Sequence, residues 1–389
     1  MPVDYQQVQE QVRAMGAKTP ARMAGMRQKR LQAVERLRQV ASQPEKLVQK
    51  VELARSYNPA LRCAIPGKEH IASSFKPPEM PDEITLLAAD GSQIFPDRHA
   101  EVEFSLINVG AIQMAPGKTP RETVRSRLIY YDELYTPNGL ITDEAVSLMR
   151  DLEERRLLLE LAGQAPAPVV TLTDGQLELF REPRETPEFS QAFDDYLDVL
   201  EALRRLGVST AGYVDRPQGD LVVRLLELDM LPESDLRQAG KERPLVGITD
   251  EMLFSELLQN PGERSAVFAI QSISAHRFAG ELALHFFYLN VGGPGKPYLA
   301  RVEAPAWVAQ EASALDTLQS ALLAQCRILG HRPFPYALHR AHEVAVISYE
   351  DKDRMMEMIL AELNRQGIVL EKSNKQSYKD QPGRMRFMR

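Results

Sequence analysis

The spacing of hydrophobic positions changes sharply near residue 83 of the chain. Before that point, residues 4–57 are dominated by Gln, Arg, Lys, Glu, Ala and Leu, which favour helix. Pro20, preceded by the capping candidate Thr19, predicts a break in this helical arm. Five prolines between residues 58 and 82 then predict an irregular linker.

Short apolar runs and amphipathic stretches alternate after the linker. The predicted strands are residues 84–90, 102–114, 124–135, 167–174 and 208–215, and the predicted helices are residues 142–163 and 187–206. Three strands with short connections favour an antiparallel meander, whereas the later strand–helix–strand order demands parallel pairing. An α/β fold with a mixed five-stranded sheet and helices on both faces satisfies both patterns. This order is the core of the ribonuclease H-like fold.

The remaining stretches add α+β elements to this core. They are a helix at 221–229, a hairpin of 282–291 and 297–304, helices at 308–328 and 351–366, and a strand-like stretch at 342–350. Hydrophobic periodicity is poor over residues 230–280, which therefore reads as an insertion. The expected domains are a helical arm (1–57), a Pro-rich linker (58–82) and a ribonuclease H-like domain (83–389) with this insertion and a basic tail.

Composition narrows the class of protein. The chain has 389 residues, of which 44% are hydrophobic and 26% charged, which excludes disorder throughout and a fibrous repeat. The net charge of −7 means that contacts with nucleic acid would have to come from local patches. Cys63 and Cys326 form no disulfide framework, so we expect a reducing cytoplasm. No apolar run is long enough for a membrane span, and no secretory leader is visible.

Two segments of the chain are locally basic. Residues 13–50 carry ten Lys or Arg against two Glu, which fits a solvated helical face, a DNA-facing arm or a dimerisation helix. The tail carries Lys375, Lys379 and other cations, with Tyr378 among them. Basic and aromatic side chains together suit binding of a single strand through phosphate pairing and base stacking. The alternative for this segment is a frayed soluble tail.

Two predicted buried strands end in Asp-Gly, at Asp90-Gly91 and Asp174-Gly175. In the proposed sheet these strands are parallel neighbours, so their carboxyl ends would bring the two carboxylates together. Close carboxylates repel unless a cation lies between them, and hard oxygen ligands suit Mn²⁺ or Mg²⁺. The simpler interpretation is that Asp-Gly is a common way to leave a strand.

A two-metal site usually needs a third carboxylate. The helix between the two strands offers Glu153 and Glu154, which helical periodicity does not distinguish, and Glu160 is a weaker candidate. His342 enters the strand-like stretch and is a further candidate, although a lone histidine there is more often structural. His339 could replace it, and Asp215 also follows a predicted strand.

Several of these segments together resemble the NurA nuclease family. They are AADGSQI, TDGQL, GYVDRP, PFPYALHRAHEVA and SNKQSYK, in that order between about residues 80 and 380. The resemblance implies a ribonuclease H-like fold and a Mn²⁺-dependent DNA nuclease with 5′-to-3′ exonuclease and single-strand endonuclease activity. It also implies a homodimer that works with a HerA-type hexameric translocase in DNA end processing.

The family motifs fall on individual residues of this chain. The resemblance implies metal-binding roles for Asp90 and Asp174, and a helix glutamate at Glu154 or Glu153. It places the late histidine on His342 and the basic tail residue on Lys375. The resulting hypothesis is two-metal hydrolysis of phosphodiester bonds. Alternatives are a non-catalytic, DNA-guiding adaptor of a translocase, and a different ribonuclease H-like activity such as RNA cleavage or strand transfer.

Overall fold

The computed structural model describes residues 3–79, 81, 83–137, 139–179, 186–330 and 332–368. Contacts divide the chain into two compact units. The first comprises residues 1–80, 175–178 and 211–334, and the second comprises residues 81–174, 179–210 and 335–389. The tail candidates Lys375, Tyr378 and Lys379 lie outside the described residues.

Ten α-helices and eleven strands are defined within the described residues. The helices are α1 (Tyr5–Val40), α2 (Pro44–Tyr57), α3 (Asp143–Ala162), α4 (Pro187–Arg205), α5 (Leu221–Met230), α6 (Asp250–Phe254), α7 (Ala306–Ala309), α8 (Ala312–Ile328), α9 (Tyr336–Ala345) and α10 (Tyr349–Arg365). The strands are β1 (Cys63–Pro66), β2 (Thr85–Ile94), β3 (Ser105–Met114), β4 (Arg121–Ile129), β5 (Tyr135–Thr136), β6 (Gly139–Leu140), β7 (Val169–Asp174), β8 (Ser209–Val214), β9 (Phe268–Gln271), β10 (Leu284–Asn290) and β11 (Leu299–Pro305). None of the described helices combines the length and apolar character that a bilayer-spanning segment needs.

The first unit is built on strands in the order β1-β9-β10-β11-β8. The predicted hairpin is confirmed, because β10 and β11 pair antiparallel over their full lengths. Strand β1 lies in the Pro-rich segment that was expected to be irregular, and it pairs with β9. Strand β9 and helix α6 both come from the poorly periodic stretch 230–280, where the short elements leave little periodic signal in the sequence.

Helix α1 corrects one prediction, because it continues through Pro20 without a break. The Thr19 hydroxyl donates a hydrogen bond to the Met15 carbonyl inside the helix, at 2.9 Å, and does not cap a new one. Proline removes one backbone donor and strains one turn, but strong helix formers on both sides preserve the remaining hydrogen bonds. The buried residues of α1 lie near its end, at Ala33, Val34, Leu37 and Val40.

The second unit contains the mixed sheet that the element order predicts. Its strands follow the order β8-β7-β2-β3-β4, with the first two residues of β8 in this unit. Strand β3 pairs antiparallel with both β2 and β4, whereas β2 pairs parallel with β7. The α/β fold with this five-stranded order is therefore confirmed. Strand β4 ends at Ile129, and a 3-10 turn follows where the predicted strand continued to 135.

Helices cover both faces of this sheet, and two glycines of the sheet mark where they approach. A side chain at Gly91 would meet Arg150 and Glu154 of α3, at 2.6 and 2.8 Å. A side chain at Gly110 would meet the backbone of α9, with its Cβ 2.7 Å from the Ala341 carbonyl oxygen. Asp90 pairs with Gly110, and successive residues of a strand point to opposite faces. Helices α3 and α9 therefore lie on opposite faces of the sheet.

The strand-like prediction for residues 342–350 is wrong. Residues 336–345 form helix α9, whose buried side chains are Ala337, Leu338, Ala341 and Ala345. Their spacing is that of one helical face, and the alternating valines of the sequence conceal it. Helix α10 begins four residues later with a capping box formed by Ser348 and Asp351.

Candidate active site

Asp90 and Asp174 follow the last paired residues of two neighbouring parallel strands. The register of β2 and β7 runs from Thr85 opposite Val169 to Ala89 opposite Thr173. The next residue on each strand is the aspartate. Strand β7 ends at Asp174, whereas β2 continues to Ile94 in pairing with β3, so the predicted end of the first strand at Asp90 is wrong. The two aspartates occupy the next register position, where β7 ends. The parallel pairing expected from the sequence is confirmed. In a parallel pair, residues in register project to the same face, which favours a common site for the two carboxylates.

His342 contacts Asp90 directly. Its Nδ1 atom lies 2.6 Å from Oδ2 of Asp90, and the other carboxylate oxygen accepts the Gly91 backbone N–H at 2.9 Å. The Asp90 side chain is 15% exposed and that of His342 is 64% exposed. The pair therefore has one buried partner and one that faces solvent, as a site for a large substrate requires.

The strand residues after Asp90 hold both helices in place. Ser92 and Asn108 donate hydrogen bonds to the Ala345 carbonyl at the end of α9, at 2.5 and 2.8 Å. Gln93, on the other face, accepts a hydrogen bond from Arg150 of α3 at 3.1 Å. Each residue of the motif Asp-Gly-Ser-Gln thus has a role. Asp90 supplies a carboxylate, Gly91 lets α3 approach the strand, Ser92 contacts α9 and Gln93 contacts α3.

Glu154 approaches Asp90 from the α3 side. Its side chain is almost fully buried, and its Oε1 atom lies beside Gly91, where any side chain would collide with it. Burial raises the pKa of Glu154 well above its usual value, and the charges of Asp151 and Asp90 raise it further. Arg150 opposes this shift, with its Nε atom 3.3 Å from Oε1 of Glu154.

The other two glutamates of α3 have different partners. Glu153 accepts hydrogen bonds from Arg156 at 2.9 Å and from Arg127 at 3.4 Å. Glu160 forms an exposed ion pair with Arg125. Glu153 and Glu160 are therefore both paired with arginines. Of Glu153 and Glu154, which the sequence left open, Glu154 is the one that lies beside Gly91 of β2.

Sequence reasoning missed two residues of this cluster, Asp151 and Arg150. Burial raises the pKa of Asp151, and the charge of Asp90 contributes to the shift while Arg150 opposes it. Both residues were overlooked because an Arg-Asp pair on an amphipathic helix is usually solvated. Their spacing could have indicated them, since Arg150 precedes Glu154 by four positions and Asp151 precedes it by three. Residues at these spacings share one face of a helix.

The remaining candidates, His339 and Asp215, contact other side chains. His339 is exposed on α9, with Nε2 3.6 Å from the carboxylate of Glu343. Asp215 belongs to the first unit, where its Oδ1 accepts a hydrogen bond from the Tyr298 hydroxyl at 2.8 Å.

The donor set fits a divalent cation by its chemistry. Burial raises the pKa of Asp151 and that of Glu154, the charge of Asp90 raises both further, and Asp174 occupies the register position beside Asp90. Within the described ranges, no three His, Cys, Asp or Glu side chains converge tightly enough to hold an ion as they stand. The carboxylates are instead partly neutralised by one guanidinium, and this excess of buried negative charge suits a hard cation.

Comparison with known proteins identifies the family. The NurA domain model matches residues 84–347. No curated protein matches the sequence significantly.

Solved structures give weaker likenesses. The NurA nuclease of Sulfolobus solfataricus is 12% identical with a TM-score of 0.47, covering 72% of this chain and 85% of that one. The catalytic domain of human endonuclease V is 13% identical with a TM-score of 0.32, covering 81% of this chain and 98% of that one. The family assignment therefore rests on the domain match, which spans more than half of the sequence. The chain belongs to the NurA family of metal-dependent nucleases.

Proposed function

We propose that this protein hydrolyses DNA phosphodiester bonds with Mn²⁺, for which Mg²⁺ can substitute, as a 5′-to-3′ exonuclease and single-strand endonuclease. Family membership over residues 84–347 supports the reaction class. The observation that carries the proposal is the register of β2 and β7, which puts Asp90 and Asp174 at the next matching positions on adjacent strands. Two carboxylates on adjacent parallel strands repel each other and do not stabilise the strand pair. Their placement suits a shared cation.

Asp90, Asp174 and Glu154 would hold the cations. When bound, a pair of divalent cations lowers the pKa of a nucleophilic water and neutralises charge at the scissile phosphate. The raised pKa of Glu154 reflects an uncompensated site, because burial and the neighbouring aspartates both disfavour its ionised form. A bound cation would favour the ionised form of Glu154.

His342 would orient the substrate. Its Nδ1 contacts the Asp90 carboxylate, which fixes the ring and selects the tautomer in which Nδ1 carries the proton. Nε2 then has a lone pair that can accept a hydrogen bond from the attacking water, and in the doubly protonated ring it would instead donate to the scissile phosphate. The 64% exposure of the side chain leaves room for a nucleic-acid backbone at this nitrogen.

The wider assembly is proposed from family membership alone. We infer a cytoplasmic homodimer that works with a HerA-type hexameric translocase during DNA end processing. The basic tail with Lys375, Lys379 and Tyr378 would guide single strands. Co-expression with such a translocase, followed by size-exclusion chromatography with light scattering, tests both the dimer and the complex.

A metal-titrated nuclease assay tests the activity itself. Wild-type protein freed of metal with EDTA should cleave 5′-labelled single-stranded DNA only after Mn²⁺ or Mg²⁺ is added. Asp90→Asn should abolish cleavage and keep the fold, as judged by circular dichroism. Asp195→Asn is the control, since Asp195 is an acid of α4 that pairs with Arg156.

The substrates in this assay also separate the alternatives. Cleavage of closed circular single strands reports endonuclease activity, and oppositely end-labelled duplexes report polarity. A protein that binds DNA without cutting it under every metal condition would be the adaptor. Preferential cleavage of RNA would point to another ribonuclease H-like activity.

A further inference from the structure

Arg150 lies at the centre of the carboxylate cluster. Its Nη2 and Nε atoms lie 2.7 and 3.2 Å from Oδ1 of Asp151, and Nε is 3.3 Å from Oε1 of Glu154. Its Nη1 donates to Gln93 at 3.1 Å. The aliphatic part of the side chain fills the space beside Gly91, with Cγ 2.6 Å from the position of a Cβ there. The guanidinium is thus held from three sides, next to the part of β2 that carries Asp90 and Gly91.

The charge balance explains why a cation is needed at this position. The carboxylates of Asp151 and Glu154 both lie within ion-pair distance of the Arg150 guanidinium, and the Glu154 side chain is almost fully buried. Arg155, one position after Glu154 on α3, has different partners, because it donates to Thr210 and Thr173. Arg150 is therefore the guanidinium that forms ion pairs with the acids of this cluster.

We propose that Arg150 is the internal counter-ion of the metal-free site and that binding of a divalent cation displaces its guanidinium from Glu154. This inference rests on the proposed function, since it assumes that Glu154 becomes a metal ligand. The Oε1 atom of Glu154 that faces Arg150 also lies beside Gly91, the residue after Asp90 on β2. A guanidinium and a divalent cation on one carboxylate oxygen repel each other, so the two occupants exclude one another.

This exclusion has a thermodynamic consequence. Arg150 stabilises the empty site, and the same interaction must be given up when the cation binds, so Arg150 weakens metal affinity. Gln93 and Asp151 offer the displaced guanidinium alternative partners, because it already contacts both. Arg150 is thus a positioning residue that keeps Glu154 in place until the cation arrives.

Metal affinity of the full-length variants tests the proposal without reference to activity. Isothermal titration of EDTA-treated protein with Mn²⁺ should show Arg150→Gln binding roughly tenfold more tightly than wild type, because one repelling charge has been removed. Arg150→Lys should stay closer to wild type. Arg156→Gln is the matched control on the same helix, since Arg156 pairs with Glu153 and Asp195. Equal or weaker binding by Arg150→Gln would overturn the inference.

A measurement on the wild-type protein covers the case in which Arg150→Gln does not fold. In protein labelled with ¹⁵N-arginine, titration with diamagnetic Mg²⁺ should shift the Arg150 Nε resonance and leave that of Arg156 in place. If the Arg150 resonance does not move although the protein is saturated with metal, the displacement of Arg150 is refuted. The proposed metal site would still stand in that case. If wild-type protein binds neither Mn²⁺ nor Mg²⁺, the proposed function fails together with this inference.

Discussion

The Nδ1 atom of His342 lies 2.6 Å from Oδ2 of Asp90, although 252 positions separate the two residues in the sequence. The contact depends on Gly110, which pairs with Asp90 across the sheet and lets the backbone of α9 approach. A strand aspartate and a helix histidine thus meet because a third residue has no side chain.

Replacing His342 should impair cleavage without unfolding the protein. We expect His342→Asn to lower kcat on single-stranded DNA by about 10²-fold, the usual range for loss of a positioned proton-transfer or orienting group. His339→Asn, three residues earlier on the same helix, should retain nearly full activity because its partner is Glu343. Similar rates for the two variants would exclude a specific role for His342.

Gly110→Ala should separate α9 from the sheet. The new Cβ would lie 2.7 Å from both the Ala341 carbonyl oxygen and the Ala345 nitrogen, and backbone atoms cannot rotate away. We expect a loss of about 1–3 kcal/mol in the free energy of unfolding, as for other overpacked sites, and lower activity.

A glycine elsewhere supplies the control for that substitution. Gly16 lies in α1, where a Cβ would have no atom within 4 Å outside its own stretch of helix, so Gly16→Ala should leave stability unchanged or slightly raised. Denaturant unfolding of both variants makes the comparison, and a fully stable Gly110→Ala would contradict the packing argument.

Glu153 and Glu154 form a matched pair of adjacent acids. We expect Glu154→Gln to reduce Mn²⁺-dependent cleavage by at least about 10²-fold, as loss of a metal-holding carboxylate should. Glu153→Gln should mainly weaken the ion pairs with Arg127 and Arg156 and leave the rate near wild type. Initial rates at saturating Mn²⁺ compare the two variants. A larger loss of rate in Glu153→Gln would assign the metal-binding role to Glu153.

The stability of the metal-free protein should depend on the ionisation of Glu154. Its folded-state pKa lies above the usual value of 4.5, so the folded protein binds more protons than the unfolded chain in that window, and stability falls as pH rises through it. As the pH is raised from 4.5, the Tm of wild type should therefore fall more than that of Glu154→Gln. Thermal unfolding in EDTA provides the measurement, and parallel curves would count against the raised pKa.

Asp250 tests the stability of the first unit. It is fully buried and accepts hydrogen bonds from the Val222 and Val223 N–H groups and from the Tyr288 hydroxyl. Asp250→Ala leaves these three donors unpaired, and we expect it to cost about 2–4 kcal/mol. Asp250→Asn keeps one acceptor and should cost less.

The stability difference between wild type and Asp250→Asn should depend on pH, because only wild type has the Asp250 carboxyl. Burial raises the pKa of that carboxyl from 3.8 to about 6. Wild type loses stability as pH rises through this window, because the folded state then has to ionise a buried carboxyl. The difference between wild type and Asp250→Asn should accordingly be smaller at about pH 7 than at about pH 5. Chemical denaturation at the two pH values measures it.

Local patterns predicted the pairing of the two strands but not both of their ends. The order of elements predicted parallel neighbours, which the register of β2 and β7 confirms, and β7 ends at Asp174 as expected. Strand β2 instead continues through Asp90-Gly91 to Ile94, because β3 remains its partner there. Residues 342–350 misled because valines spaced by two imitate a strand, while burial follows the helical spacing of Ala337, Leu338 and Ala341. Pro20 misled because its local penalty is small beside the sum of its neighbours' helix preferences.

The sequence alone determined the family and the parallel pairing of the strands that carry Asp90 and Asp174, because these depend on motifs, short-range periodicity and connection rules. Only the tertiary structure brought Glu154 beside Gly91, Arg150 to Gln93 and His342 to Asp90. The reason is physical: adjacent residues of a helix differ by about 100° in direction, and what each one meets depends on how closely its neighbours pack. At Asp90 that packing is controlled by two glycines, Gly91 and Gly110, one for each face of the sheet.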